Sequence, residues 1–256
     1  MEVILNINNL QYQNIFQNIT LSLEKSKIIT VSGPNNSGKT TLCRILDRRI
    51  KNHFNINLMG KDIKDYSLEE YNHLVQVIYP NESYFHYRTL QEMIENSDAK
   101  KDKKEWMKKE GKSLKLLEKD ILKCSMTEKI WLQIMNAILK SDEIVVIDNL
   151  DYYLDSKEEI KVYDFINRCS DKFKNSFIMT TTSLERAIDT DTLYIIQEGE
   201  IVLHGAPLTV LQNDNMINKA GLDVPFMIDL CVKLRDYELI KYVELDKERL
   251  VDALWN

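Results

Sequence analysis

The run Lys27–Ser32 (KIITVS) passes directly into Gly33-Pro34-Asn35-Asn36-Ser37-Gly38-Lys39-Thr40, and this junction constrains the fold more than any other stretch. The β-branched run reads as a strand. Beyond the loop, Leu42, Ile45, Leu46 and Ile50 recur at helical spacing. Strand, glycine loop and helix therefore follow in that order, and the loop matches GxxxxGK[ST] with Thr41 after it. The chemistry needs these residue types. Glycine lets the backbone approach an anion closely, so that successive N–H groups point at phosphate. The helix offers its N-terminus to the same charge. Lys39 supplies a cation near the β- and γ-phosphates, and the Thr40 hydroxyl is a magnesium ligand in such loops.

Elsewhere short apolar strands alternate with helical patterns, which predicts an α/β protein with a largely parallel sheet. Glu143–Asp148 (EIVVID) and Ser176–Thr182 (SFIMTTT) read as strands buried on both faces. Leu193–His204 reads as a hairpin turning at Gly199. Ser156 and Glu159 stand at capping-box spacing and predict a helix after Asp155. With 256 residues the chain is long enough for one large domain, or a domain with a small appendage. A net charge of -6 gives no global attraction to nucleic acid or to an anionic membrane. No apolar run approaches the roughly 18 residues of a membrane span. The N-terminus lacks the basic start and apolar run of a secretory signal, so a cytoplasmic location is expected. Cys43, Cys124, Cys169 and Cys231 form no CxxC pair, and the four histidines show no metal-like spacing. Lys100–Lys115 carries eight lysines and reads as a solvated helical face or as a contact for an acidic partner.

The glycine loop alone does not choose among kinases, GTPases and transport ATPases. A guanine-reading NKxD is absent, since Asn218-Lys219-Ala220-Gly221 fails at its last position. Downstream, Ile144–Asp148 has the form of a Walker B strand, and Asn149–Asp155 falls where a catalytic glutamate and a D-loop follow it. Cys124-Ser125-Met126-Thr127-Glu128 lies where an LSGGQ signature stands, Thr182 where a switch histidine stands, and Gly199–Pro207 resembles a closing hairpin. In this order of segments the chain resembles the ATP-binding-cassette (ABC) family. Its tail, Ala220–Phe226 with Ile228–Leu230 and Lys233–Arg235, resembles energy-coupling-factor (ECF) transporter ATPases.

The resemblance implies a P-loop NTPase cassette: a RecA-like, mostly parallel sheet, a β-rich N-terminal part and an inserted helical subdomain at about residues 88–136. The nucleotide-binding domain would cover 1–208, and 209–256 would be a helical appendage. Met227, Leu230, Cys231 and Leu234 would form one apolar face there, and Leu250, Val251, Leu254 and Trp255 another, for dimerisation or for packing on the chain's own domain. Implied ligands are ATP and Mg2+, with Gly33–Thr41 holding ATP, Thr40 and Asp148 the metal, and Asp155 in the D-loop. Implied partners are a second ABC ATPase subunit, a heterodimer rather than a homodimer, and a transmembrane coupling subunit on the inner face of the membrane. An ATP-sensing regulator with the same fold is the alternative.

The departures matter as much as the matches. The catalytic glutamate becomes Asn149, whose amide cannot take a proton from water. The switch histidine becomes Thr182, without a titratable imidazole. The Q-loop glutamine falls on Tyr79, with Gln76 close by, and Met126 and Thr127 replace the signature glycines between Ser125 and Glu128. Tyr12 is either an adenine-stacking aromatic or ordinary strand packing. Binding and turnover thus separate: the phosphate and magnesium groups remain while the water-activating groups are altered, and little or no intrinsic hydrolysis is expected.

Overall fold

Alternating apolar residues build the N-terminal part. Strand β1 (Val3–Tyr12) pairs antiparallel with β2 (Phe16–Glu24), and Phe16, Ile19, Leu21 and Leu23 turn inward from β2. The computed structural model describes residues 2–82 and 85–255. Among them β3 (Ile28–Ser32), β4 (Ile56–Leu58), β5 (Lys61–Asp62), β6 (Val75–Ile78), β7 (Ile144–Asp148), β8 (Ser176–Thr181), β9 (Thr192–Gln197) and β10 (Glu200–Gly205) complete one sheet. Its order is β5-β4-β1-β2-β10-β9-β3-β8-β7-β6. The neighbours β9, β3, β8, β7 and β6 run parallel, whereas β5, β4, β1 and β2 pair antiparallel and β10 joins the two parts, antiparallel to β9 and parallel to β2. Every residue of β3, β7 and β8 is buried, as expected of parallel strands covered on both faces.

The pleat sorts side chains into two cores. From β7, Val145 and Ile147 enter the core beneath the central helices, whereas Ile144 and Val146 enter the one shared with β1 and β2. Helix α1 (Lys39–Leu46) follows the glycine loop and buries Leu42, Ile45 and Leu46 in the second core. It stops before Ile50, which the helical spacing had included, because Arg48 takes a left-handed backbone at φ 54°. Helix α2 (Leu68–Leu74) precedes β6. Helices α3 (Leu90–Glu95), α4 (Lys101–Ser113) and α5 (Met126–Lys140) form the inserted helical layer, with α6 (Ser156–Phe173) beside it. Trp106 stacks on Phe165 at 5.2 Å, and Trp131 meets the same ring edge-on at 5.3 Å, tying α4 and α5 to α6. Aromatic pairs of this kind add roughly 0.5–1.5 kcal/mol beyond area burial.

The lysine-rich segment forms α4 but is not uniformly solvated. Lys103 is 9% exposed, and its ammonium donates to Ile138 O at 2.9 Å and Ser141 O at 3.1 Å. It thereby satisfies carbonyls at the C-terminal end of α5. Periodicity misses this, because a single buried cation in a charged run looks like its neighbours. After the hairpin, α7 (Pro207–Leu211), α8 (Asp214–Lys219) and α9 (Phe226–Asp236) cover β9, and α10 (Lys247–Trp255) ends the described chain. Met227, Leu230, Cys231 and Leu234 share one cluster with Leu250. The second expected face divides: Leu250 is buried, while Val251, Leu254 and Trp255 are exposed. Among the described residues no helix is long and apolar enough to cross a membrane.

Candidate functional site: a phosphate-loop cavity

The loop sits at the carboxyl end of β3, between β9 and β8 in the sheet. Two glycines make its path possible. Gly38 has φ 98°, and a β-carbon there would lie 2.4 Å from the Phe16 ring. At Gly33 a β-carbon would meet Ile196 O at 2.5 Å. Lys39 is 4% exposed and folds back, donating to Gly33 O at 2.6 Å, Pro34 O at 2.9 Å and Ser37 Oγ at 3.4 Å. Burial pushes its pKa below the ordinary lysine value against the opposing fields of Asp151 and Asp148. A buried ammonium held only by neutral oxygens is suited to receive an anion.

Next to it, the Thr40 hydroxyl donates to Asp148 Oδ2 at 2.8 Å, and Thr180 Oγ1 donates to Asp148 Oδ1 at 2.7 Å. Parallel register sets this pair, since Asp148 stands opposite Thr180 across β7 and β8. The Cys43 thiol lies 3.7 Å from Asp148 Oδ1, and burial first, then that carboxylate, pushes its pKa well up. Thr40 and Asp148 thus present adjacent hard oxygen donors. That suits Mg2+, which takes one or two protein ligands and completes its shell with phosphate and water. A cavity of about 440 Å3 opens over Ile15, Asn35, Asn36, Gly38, Lys39, Thr40, Thr41 and Asn149.

The ABC transporter family profile matches residues 16–150. The chain belongs to that family. An energy-coupling factor transporter ATP-binding protein EcfA of Pediococcus pentosaceus is 25% identical over 96% of this chain and 94% of its own length. EcfA1 of Ureaplasma parvum is 23% identical over 94% and 85%. Among solved structures, CbiO1 of Clostridium perfringens, described as part of the ABC transporter complex cbiONQ, superposes with a TM-score of 0.71. It shares 19% identity over 90% of this chain and 99% of its own, which speaks for the fold alone.

The residues expected at the altered motif positions form two groups. Asn149 borders the cavity with φ 47°, and its N–H donates to Thr180 O at 3.0 Å and Thr180 Oγ1 at 3.2 Å. Its side-chain Oδ1 is buried without a hydrogen-bond partner. Behind it, Asp151 Oδ2 accepts from Thr182 Oγ1 at 3.1 Å, Thr182 N at 3.4 Å and Ser183 N at 3.3 Å. Tyr79 is buried under the Arg49 guanidinium, 4.4 Å from its ring centre. Burial, then the charge of Asp47, pushes the Tyr79 hydroxyl far above its ordinary pKa, and Asp148 adds to this. Gln76 instead donates to Asn72 O at 2.6 Å and lines a separate groove with His73 and Asp142.

The signature-like residues do not join the cavity within one chain. Ser125 caps α5, accepting from Glu128 N at 3.2 Å, while Glu128 accepts from Ser125 N at 2.8 Å and pairs with Lys119 at 2.6 Å. Met126 and Thr127 open that helix. Asp155, expected to stand in a D-loop, is the N-cap of α6 and accepts from Lys157 N and Glu158 N, both at 2.9 Å. The helix start is therefore set by Asp155, correcting the Ser156–Glu159 capping box: Asp155 Oδ1 takes two free N–H groups of the first turn, and Ser156 is already helical. Tyr12 packs edge-on against Phe54 at 5.8 Å and does not line the cavity, whereas Ile15 does. Sequence reasoning also passed over Thr180, Cys43 and Asp151. Thr180 was recoverable from strand register, but Asp151 was hidden inside a stretch read only for its first and last residues.

Proposed function

We propose that this chain is the ATP-binding subunit of an ECF-type ABC importer, holding Mg-ATP on the Gly33–Thr41 loop through a site whose usual water activation is degenerate. The folded-back, buried Lys39 beside the Thr40–Asp148 pair carries the reading. Lys39 would turn from the Gly33 and Pro34 carbonyls to the phosphates, and Thr40 and Asp148 would hold magnesium, which neutralises phosphate charge when bound. Residues 1–208 would form the nucleotide-binding domain and 209–256 an appendage that contributes to pairing. Asn149 at the glutamate position can orient water but cannot accept its proton, and Thr182 offers a hydroxyl in place of an imidazole. General-base help is worth about 10²- to 10⁴-fold in rate, so slow turnover is expected.

The similarity to EcfA proteins along nearly the whole chain supports a membrane-peripheral role. The altered Ser125–Glu128 stretch favours a second, different cassette subunit over a copy of this chain, because two copies would repeat every deficit. A tag on this chain in its native cells should retrieve a multi-span membrane protein together with a second cassette subunit. Recovery of this chain alone, from cells in which the tagged form replaces the original, would contradict the transport reading.

A further inference from the structure

The cavity over the phosphate loop runs between two sides of different chemistry, and the sheet fixes which residue stands at each. Strand β10 runs antiparallel to β9 and therefore to β3, and β2 runs parallel to β10. The start of β2 thus lies at the same edge of the sheet as the carboxyl end of β3, where the loop begins. In the strand order β2 falls on one side of β3 and β7 on the other. Asn149, next after Asp148 at the end of β7, marks the metal side of the cavity beside the Thr40–Asp148 pair. Ile15, in the turn between β1 and β2, marks the opposite side. This turn is firmly held. Ile15 N donates to Tyr12 O at 3.0 Å, and Gln17 N and Asn18 N donate to Gly199 O at 2.9 and 3.2 Å. A β-carbon at Gly199 would meet Ile15 O at 2.6 Å, so the β9–β10 turn closes on this one. Ile15 is half-buried, and its Cγ2 would lie 2.9 Å from a β-carbon on Gly38, which places the methyl group against the loop itself.

We infer that the nucleoside rests on Ile15 rather than on an aromatic ring, and that the site selects the magnesium triphosphate rather than the base, so that purine and pyrimidine nucleoside triphosphates are ligands alike. This rests on the reading that the Gly33–Thr41 loop binds Mg-ATP. With the phosphates on the loop and magnesium at Thr40 and Asp148, the nucleoside falls on the side away from Asn149. Among the described residues that line the cavity, Ile15 is the apolar one. Tyr12 is turned to Phe54 and packs on the core of β1 and β2. Stacking on an aromatic ring strengthens binding of a base by about 5- to 150-fold. An aliphatic face gives a smaller gain by dispersion and burial, and gives it to any flat base. Large ratios between ligands need hydrogen bonds to a fixed pattern of donors and acceptors, whereas apolar contact rejects poorly. Asn35 and Asn36, the exposed amides of the lining, carry donors and acceptors together and so suit either kind of base edge.

The same contacts fit a brace that only supports Gly38, and inorganic triphosphate separates the two roles, because it occupies the loop without reaching for the nucleoside side. The full chain and its variants are titrated with the magnesium complexes of ATP, GTP, CTP, UTP and inorganic triphosphate, and thermal melting checks each fold. The four nucleotides should bind the wild type within about fivefold of one another. Ile15→Ala should weaken all four by about 4- to 15-fold, the change for one or two methyl groups withdrawn from contact, and leave triphosphate within about twofold. Ile15→Val, the gentler change for the fold, should show the same pattern at about 2- to 4-fold. Tyr12→Ala should leave all five ligands within about twofold. A preference for one base above about tenfold, a nucleotide-specific loss in Tyr12→Ala, no loss in Ile15→Ala, or a loss there that triphosphate shares overturns the proposal while leaving phosphate binding intact. Failure of the wild type to bind any of the five overturns the reading of the loop itself.

Discussion

Replacing Gly38 with alanine tests how the phosphate loop is held, and a second glycine provides the control. At Gly38 the backbone has φ 98°, and a new β-carbon would lie 2.4 Å and 2.8 Å from two atoms of the Phe16 ring and 2.9 Å from Ile15 Cγ2. Phe16 is 1% exposed and wedged in the core, so its ring cannot swing aside. A left-handed backbone costs an L-residue about 1–2 kcal/mol, and forcing an extra carbon into packed surroundings costs about 1–3 kcal/mol. Reduced freedom of the unfolded chain returns about 0.4–1 kcal/mol. The net destabilisation for Gly38→Ala is about 1–4.6 kcal/mol, or roughly 2–18 °C in Tm for a chain of this size. Gly60 has a similar backbone, φ 80°, but nothing lies within 4 Å of its would-be β-carbon. Gly60→Ala should therefore cost no more than about 1.5 kcal/mol. Calorimetric or fluorescence melting of both variants gives the comparison, and Mg-ATP titration should show weakened binding only for Gly38→Ala. Equal melting losses in the two variants would refute the argument that Phe16 braces the loop.

Lys103→Met removes an ammonium that caps α5 through Ile138 O and Ser141 O and leaves those carbonyls without that donor. Relief from burying the charge offsets part of this, so a loss of about 1–3 kcal/mol in denaturant unfolding is expected, against under about 0.5 kcal/mol for exposed Lys101→Met. Glu128 supplies a pH test. Its pKa is held below the ordinary 4.5, first by Lys119 and then by the Ser125 N–H. Its contribution is therefore fully present above pH 4.5 and is lost as pH falls through the lower folded-state value. Urea midpoints of wild type and Glu128→Gln should accordingly converge as pH drops through that window, and a constant gap would contradict the pairing.

The sequence made the parallel sheet legible because β3, β7 and β8 are continuous apolar runs, and it made the loop legible because its residue types are dictated by phosphate. The positions that stayed hidden depend on contacts between distant segments. Lys103 is one of eight lysines in its segment, and only the placement of α5 distinguishes it. Thr180 acquires its role from the register that sets it opposite Asp148. Asp151 reads as an ordinary turn carboxylate until residues 182 and 183 close on one of its oxygens and leave the other bare. The start of α6 went to Asp155 rather than Ser156 because local capping signals one residue apart compete, and side-chain geometry decides between them.

The central claim is that the loop holds Mg-ATP while the usual water-activating groups are gone. Equilibrium titration of Mg-ATP into wild type and Lys39→Ala, with phosphate release followed on the same samples, tests it most directly. The account predicts saturable binding that Lys39→Ala abolishes, together with turnover on the order of 10⁻² s⁻¹ or slower, about 100-fold below the lower end of ordinary enzyme rates. Binding that survives Lys39→Ala, or Lys39-dependent turnover of about 1 s⁻¹ or faster, would contradict it.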